Sequence, residues 1–353
     1  MSLYYKTTSS GNLASLAAIL ADGKKDFVLW RLDIAHYYTK DGQPAGVEER
    51  KQHADAVETW LAMDEKTRKA AHQRAAMRET VRTKEERAAA VLSAGAENLS
   101  KDARAELLAL VNVAYHSSGK IEGCASVDGC AACKFCQSMI AAAKNNPLMI
   151  CGSCYAAADS YKEAAWRTHQ LNARILSEVL FEKEELAALE IGSDLCRFNE
   201  DGDTVNVSHA RNLLRIAKVN PGVSFGYWYK NKPAVEAGLI AEGHTSRDKL
   251  PGNIRFIHSS VLIGIPAAPA WFDDGIFTVY PDDVTTRAAI LAGAHECNGR
   301  RCRECGYTCY LMQRRQAGPV YIAEYLRAGK AQRAAILEAY AAIPEDRKTA
   351  PRA

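Results

Sequence analysis

The chain has 353 residues, 48% of them hydrophobic and 25% charged, the make-up of a globular protein with a full-sized core in one large or two medium domains. A formal charge of +3 leaves a nearly balanced surface, which implies no strong nonspecific attraction to nucleic acid or anionic lipid beyond local basic patches. No stretch approaches the roughly 20 apolar residues of a membrane span, and "MSLYYKTTSSGN" lacks the charged start and apolar run of a secretory signal, so a cytoplasmic protein without a membrane partner is expected.

Residues 1 to about 120 read as a mostly helical N-terminal region. One strand-like run, "DFVLWRLDIAHYY", precedes a long polar stretch from Glu48 to Ala94 with sparse apolar positions. Its run "KTRKAAHQRAAMRETVRTKEERAAA" mixes charges in the manner of a solvated helix, with a nucleic-acid face as the alternative. After Ser100, "KDARAELLALVNVAYH" reads as a helix burying Leu107, Leu108, Leu110 and Val111.

Ten of the eleven cysteines then fall in two stretches: Cys124, Cys130, Cys133, Cys136, Cys151 and Cys154 in the first, and Cys297, Cys302, Cys305 and Cys309 in the second. In a reducing compartment such clusters are metal ligands rather than disulfides. Cys196, in "SDLCRF", is expected to be a core residue of a buried strand. From Gly192 onward strands and helices alternate: "DLCRFNEDGD", helix "VSHARNLLRIAKV", strand "VSFGYWYKN", helix "PAVEAGLIAEG", strands "IRFIHSSVLIGI" and "GIFTVYP", helix "DDVTTRAAILAGAHE". That order predicts a parallel sheet, whose chemistry lies at the carboxyl ends of the strands. Those ends carry Asn199-Glu200-Asp201, Tyr229-Lys230-Asn231 and His258-Ser259-Ser260.

The expected architecture is therefore α/β, a partial parallel (β/α) barrel with cysteine-rich metal-binding loops over residues 121–310, flanked by the N-terminal region and a helical tail over 311–353. Glu200, Asp201 and His258 are the candidate acid, base or ligand-binding groups; "EDGD" is also an ordinary solvated turn, and a histidine ending a buried strand is commonly a satisfied core residue. Zinc favours four tetrahedral ligands and iron-sulfur clusters favour runs such as CxxCxxC. Cys130, Cys133 and Cys136 form that run, and neither stretch pairs with histidine at a zinc-finger spacing; iron-sulfur leads and zinc stays open.

Cys136, Cys151, Cys154, Tyr155 and Ala156, followed by a helix, the turn Arg197-Phe198-Asn199-Glu200-Asp201-Gly202-Asp203, then "FGYWYKN", "IRFIHSS" and a closing cysteine cluster, resemble the bacteriophage "gene product eighty-eight" family over Cys130 to Tyr310, about half of the chain. The resemblance implies a phage or prophage origin and metal binding. Cys124, Cys130 and Cys133 and the long N-terminal region depart from the family's pattern.

Cys136, Cys151 and Cys154 are also similar to a stretched radical S-adenosylmethionine motif, in which three thiolates leave one iron of a four-iron, four-sulfide cluster open to the cosubstrate. In that reading Glu200 or Asp201 takes a ligand amine or ribose, Tyr155, Asn199 and Asp203 line the cofactor, and Cys297, Cys302, Cys305 and Cys309 close a second, auxiliary cluster. Cys133 as a fourth ligand would close the first cluster. The expected protein is an iron-sulfur enzyme of radical S-adenosylmethionine type with an electron donor as partner. The alternative is a noncatalytic iron-sulfur or zinc protein binding a host protein or, through Arg300, Arg301 and Arg303, nucleic acid.

Overall fold

The computed structural model describes residues 64–129, 134–153, 163–297, 301–305, 309–310, 318–326, 330–344 and 348. The expected strand over 26–38 and the expected site residues Cys130, Cys133, Cys154 and Tyr155 lie outside the described residues. The chain forms two units, Met1–Glu86 and Arg87–Ala353. Helix α1 (Glu65–Leu92) begins in the first, where Arg82 pairs with Glu79 at 2.6 Å and Glu86 at 2.7 Å along an exposed surface. Such pairs are those of a solvated mixed-charge helix.

In the second unit, side-chain caps set the helix starts. Ser100 accepts from the Ala103 N–H at 3.2 Å and opens α2 (Lys101–Leu110). Helices α3 (Lys134–Ala143), α4 (Glu163–Glu178) and the single turn α5 (Lys183–Leu186) follow. Asn206 accepts from His209 N–H at 2.9 Å at the head of α6 (Val207–Val219), and α7 (Lys232–Ala241) has Pro233 in its first turn. Asp282 caps α8 (Asp283–Leu291) through the Thr285 N–H at 2.7 Å, and α9 (Lys330–Ala341) comes last. Among the described residues no helix is long and apolar enough to cross a membrane.

The strands are β1 (Ala114–Tyr115), β2 (Ala125–Val127), β3 (Leu195–Phe198), β4 (Ser224–Tyr229), β5 (Ile254–Ser259), β6 (Gly275–Tyr280), β7 (His295–Glu296) and β8 (Val320–Tyr325). They form one sheet in the order β1-β2-β3-β4-β5-β6-β8-β7, with β1 antiparallel to β2 and every other pair parallel. From β2 to β6 the order is the sequence order. Crossovers between parallel strands are right-handed, so a sheet wound in one direction carries its helices on one side.

Strand pairing sorts the side chains into two faces. Phe198, Tyr227 and Phe256 are register partners, as are Tyr229 and His258. This face packs against α2, α4, α6 and α7 in the main core, where Phe198 and Phe225 stack at 4.8 Å and Tyr227 lies 5.7 Å from Phe256. Helix α8 covers the same face further along, through Ala289 against Tyr280 and Ala323. The opposite face carries Ser126, Arg197, Gly226, Trp228, Ile257 and Phe277, and the cysteine-bearing segments lie against it.

Two expectations change. The helix starting at Lys101 stops at Leu110, and residues 114–115 pair with β2 instead. Beta-branched Val111 and Val113 favour extended backbone there, and Asn112 is held out of the helix by Asn172, which accepts its N–H at 2.7 Å and donates to its carbonyl at 2.8 Å. The tail from 311, expected to be helical, supplies β8 between β6 and β7 before α9. "VYIAEY" pairs along its whole length with Gly275–Tyr280, and Val320, Ile322 and Ala323 are buried there.

Asn212 ties α6 to the end of α4: it accepts the Phe181 N–H at 3.0 Å and donates to the Leu176 and Val179 carbonyls, both at 2.7 Å, in full burial. Asn212→Ala leaves these backbone groups without partners and is expected to cost about 3 kcal/mol in urea unfolding, with an unchanged m-value.

Candidate functional site

At the carboxyl ends of β2 and β3 a set of buried polar groups converges. Asp128, 2% exposed, follows β2 directly. Its Oδ1 accepts the backbone N–H groups of Glu200 at 2.9 Å and Asp201 at 3.3 Å, so the turn after β3 is moulded on this carboxylate. Its Oδ2 accepts the Ser126 hydroxyl at 2.7 Å. Ser126 Oγ also lies 2.8 Å from Nε2 of His116, which stands just after β1. The same Nε2 is 3.1 Å from Glu200 Oε2. On α4, His169 places Nε2 3.5 Å from Asp128 and Nδ1 3.3 Å from Asp201.

These contacts set unlike protonation states. Burial, then the charge of Asp128, pushes the Glu200 carboxyl up to about 7, against the pull of Arg197. Burial holds the His116 imidazole below its ordinary value despite Asp128. At His169 burial also acts downward, but the bond to Asp201 and the charges of Asp128, Asp201 and Glu200 outweigh it and raise the value. A neutral imidazole thus faces a carboxyl that changes charge near neutrality, a pairing suited to proton transfer. A nitrogen of His116 and one oxygen each of Asp128 and Glu200 lie within 4.8 Å of one another, and this acid-rich corner suits a cation: a ligand ammonium or a divalent ion.

Of the residues expected from sequence, Glu200 and Asp201 belong to this site. Asn199 and Asp203 hold its turn. Asn199, with φ 59°, donates to Thr204 at 3.1 Å and the Trp228 carbonyl at 2.9 Å. Buried Asp203 accepts the N–H groups of Thr204 at 2.7 Å, Lys230 at 2.8 Å and Asn231 at 3.3 Å. His258 is not brought to Glu200. It lies on the helix-covered face, stacked on Tyr229 at 5.0 Å with Nδ1 3.5 Å from Asp273, itself bonded by the Tyr229 hydroxyl. His116, Ser126, Asp128 and His169 were not expected; the one trace of them is "VDG", an acid before a glycine at the head of the cysteine loop.

The first cysteine stretch leaves the sheet beside Asp128. Cys136 lies on α3 and Cys151 in the turn Ile150–Ser153 that packs on α3, where a Cβ on Gly152 would stand 3.1 Å from that of Ala143. The loop returns to the carboxyl end of β5: Ile150 N–H donates to Val261 at 2.9 Å and Ile263 N–H to Leu148 at 2.7 Å. Cys196 is fully buried in β3, as expected of a core residue, and burial drives its thiol well up.

The second stretch crosses the face opposite the helices. Cys297 and Cys309 pack on Ile257, Phe277, Val320 and Ile322, and Cys302 on Ile121, Cys124, Leu195 and Tyr310. Burial pushes the thiols of Cys302 to about 11 and Cys309 to about 12, with neighbouring thiols adding to it and Arg197 opposing. Several thiols buried together beside Arg197 and Lys120 have the composition of a thiolate metal site, whose negative charge those cations would offset. The described cysteines form no trio with sulfurs within 4.8 Å. Arg301 pairs with Glu122 at 3.2 Å and Glu304 at 3.5 Å, and Arg303 with Asp194; Arg300 lies outside the described residues.

No family model, curated protein or solved structure matches this chain.

Because the folded-state pKa of Glu200 lies above its ordinary 4.5, the folded protein binds an extra proton between about pH 4.5 and 7 and loses stability as pH rises through that window. The loss approaches about 3 kcal/mol. Urea unfolding of Glu200→Gln is expected to show a flatter profile, matching the parent near pH 4 and exceeding it at pH 8.

Proposed function

We propose that the chain is an iron-sulfur protein of radical S-adenosylmethionine type, built on a partial (β/α) barrel and akin to the phage "gene product eighty-eight" family. One observation carries this reading. The loop bearing Cys136 and Cys151 departs from the carboxyl end of the first parallel strand and is tied back to the carboxyl end of β5, while the next strand presents Glu200 and Asp201 beside that departure point. One-directional strand order from β2 to β6 supports the barrel part of the reading, since a singly wound sheet leaves one face free of crossover helices.

Cys136, Cys151 and Cys154 are the thiolates assigned to the catalytic cluster. When bound, a cluster with one open iron supplies the electron that cleaves the sulfonium of S-adenosylmethionine. The chain's own contribution is recognition and proton control. Glu200 and Asp201, on the turn that Asp128 holds, form an acidic corner for the cosubstrate's ammonium, and His116 with Glu200 holds a proton near neutral pH. An external reductant is required.

Protein prepared without oxygen is expected to be brown and to contain iron and acid-labile sulfide. After reduction with dithionite it should convert S-adenosylmethionine to 5'-deoxyadenosine, and Cys154→Ala should abolish this. Asp128→Asn should weaken S-adenosylmethionine binding at least about tenfold, an effect of about 1.4 kcal/mol. Absence of cleavage in the parent protein, with an electron paramagnetic resonance signal that S-adenosylmethionine leaves unchanged, would falsify the radical-enzyme reading.

A further inference from the structure

Cys124 belongs in sequence to the first cysteine stretch, six residues before Cys130, but its packing places it elsewhere. It precedes β2, at the end of the strand remote from Asp128, and is fully buried with Ile121, Leu195 and Tyr310. Cys302 packs on this same group. The two segments are fastened together by the Cys302 N–H donating to the Lys120 carbonyl at 2.7 Å and by Arg303 Nε donating to the Gly123 carbonyl at 2.9 Å. Gly123 has φ 79°, and a Cβ there would stand 2.7 Å from Arg303 Nε, so the approach depends on glycine. Ser193 closes the corner by donating to the same Gly123 carbonyl at 2.8 Å.

Cys297 and Cys309 sit next to this corner. Both pack against the Ile257–Phe277 patch, and each lies within electrostatic reach of Cys302, as Cys124 does. Tyr310, following Cys309, closes over the sheet where Gly226 leaves room: a Cβ at 226 would stand 3.1 Å from its ring. Cys305 is in neither packed group, although it too lies within electrostatic reach of Cys309. Two cations border the thiols. The Arg197 guanidinium is fixed 4.3 Å over the Trp228 ring, and Lys120 is held at 2.9 Å by Glu324.

We infer that Cys124, Cys297, Cys302 and Cys309 ligate one iron-sulfur cluster on the face lined by Arg197 and Trp228, joining the residue that precedes the first parallel strand to the chain's last cysteine segment. Each thiol gives up its proton on binding iron, so the site gains negative charge that Arg197 and Lys120 balance. This assignment rests on the iron-sulfur part of the function proposed above and is independent of S-adenosylmethionine chemistry.

The test compares Cys124→Ser, Cys302→Ser, their double variant and Cys305→Ser, all purified without oxygen. Cys124→Ser and Cys302→Ser should each remove roughly half of the iron and sulfide, or alter the same component of the reduced protein's electron paramagnetic resonance spectrum. The double variant should lose no more than either single, and Cys305→Ser should keep the full iron content. Separate losses that add in the double variant, an unaffected Cys124→Ser, or parent protein holding zinc without sulfide would each overturn the assignment. Should Cys124→Ser fail to fold, metal-stripped parent protein treated with diamide, which accepts the two electrons and two protons of disulfide formation, provides the second measurement. Peptide mapping should link Cys124 to Cys297, Cys302 or Cys309; a link to Cys130, Cys133 or Cys136 would overturn the proposal. Loss of 5'-deoxyadenosine formation alone bears on the enzyme reading and leaves this one standing.

Discussion

The handedness of the parallel crossovers governs this molecule. Strands β2 to β6 follow one another across the sheet in chain order, and right-handed connections then put α4, α6, α7 and α8 on one face. That face becomes an aromatic and aliphatic core. The other receives the cysteine segments, Arg197 and Trp228. An asymmetric division of this kind lets one sheet bury a conventional core on one side and polar, titratable groups on the other. The latter need partners of their own to be tolerated there.

Asp128 shows how that tolerance is reached. A buried carboxylate is costly unless its oxygens are filled, and here two backbone N–H groups, a serine hydroxyl and a histidine surround it. The same bonds fix the backbone of the Glu200–Asp201 turn, so the acid that organises the site also orients its neighbours. Its uncompensated effect falls on Glu200, whose carboxyl is pushed up to about 7 by burial and then by this nearby charge. Structural satisfaction and chemical readiness therefore come from one group.

The thiols obey a related logic at the other end of the strands. Burial without a metal keeps Cys302 and Cys309 protonated, and the flanking Arg197 and Lys120 supply the charge that thiolates would need. Arg301 and Arg303, interleaved with the cysteines in sequence, look outward to carboxylates instead. Charge compensation at the thiols thus falls to Arg197 and Lys120, distant in sequence, and not to the arginines beside the cysteines.

The sequence by itself determined the alternation of helices and strands from Gly192 onward, the burial of Cys196 and the placing of Glu200 and Asp201 at a strand end, because periodicity and turn chemistry are local properties. It did not reveal β2, whose three residues are too few to show a period, and so it missed Asp128 and the neighbours Asp128 gathers. His258 was read as part of the same polar rim. In a sheet buried on both faces no alternation marks which side a residue takes, and only the register with Tyr229 sends it to the helix side. His116 and His169 are 53 residues apart in the chain and meet around Asp128 because the Asn112–Asn172 hydrogen bonds tie α4 to the segment that leads into β1. The partners of Cys124 were likewise settled in three dimensions: the hydrogen bonds from Cys302 and Arg303 back to Lys120 and Gly123 span some 180 residues, a distance over which spacing in a sequence carries no information about contact.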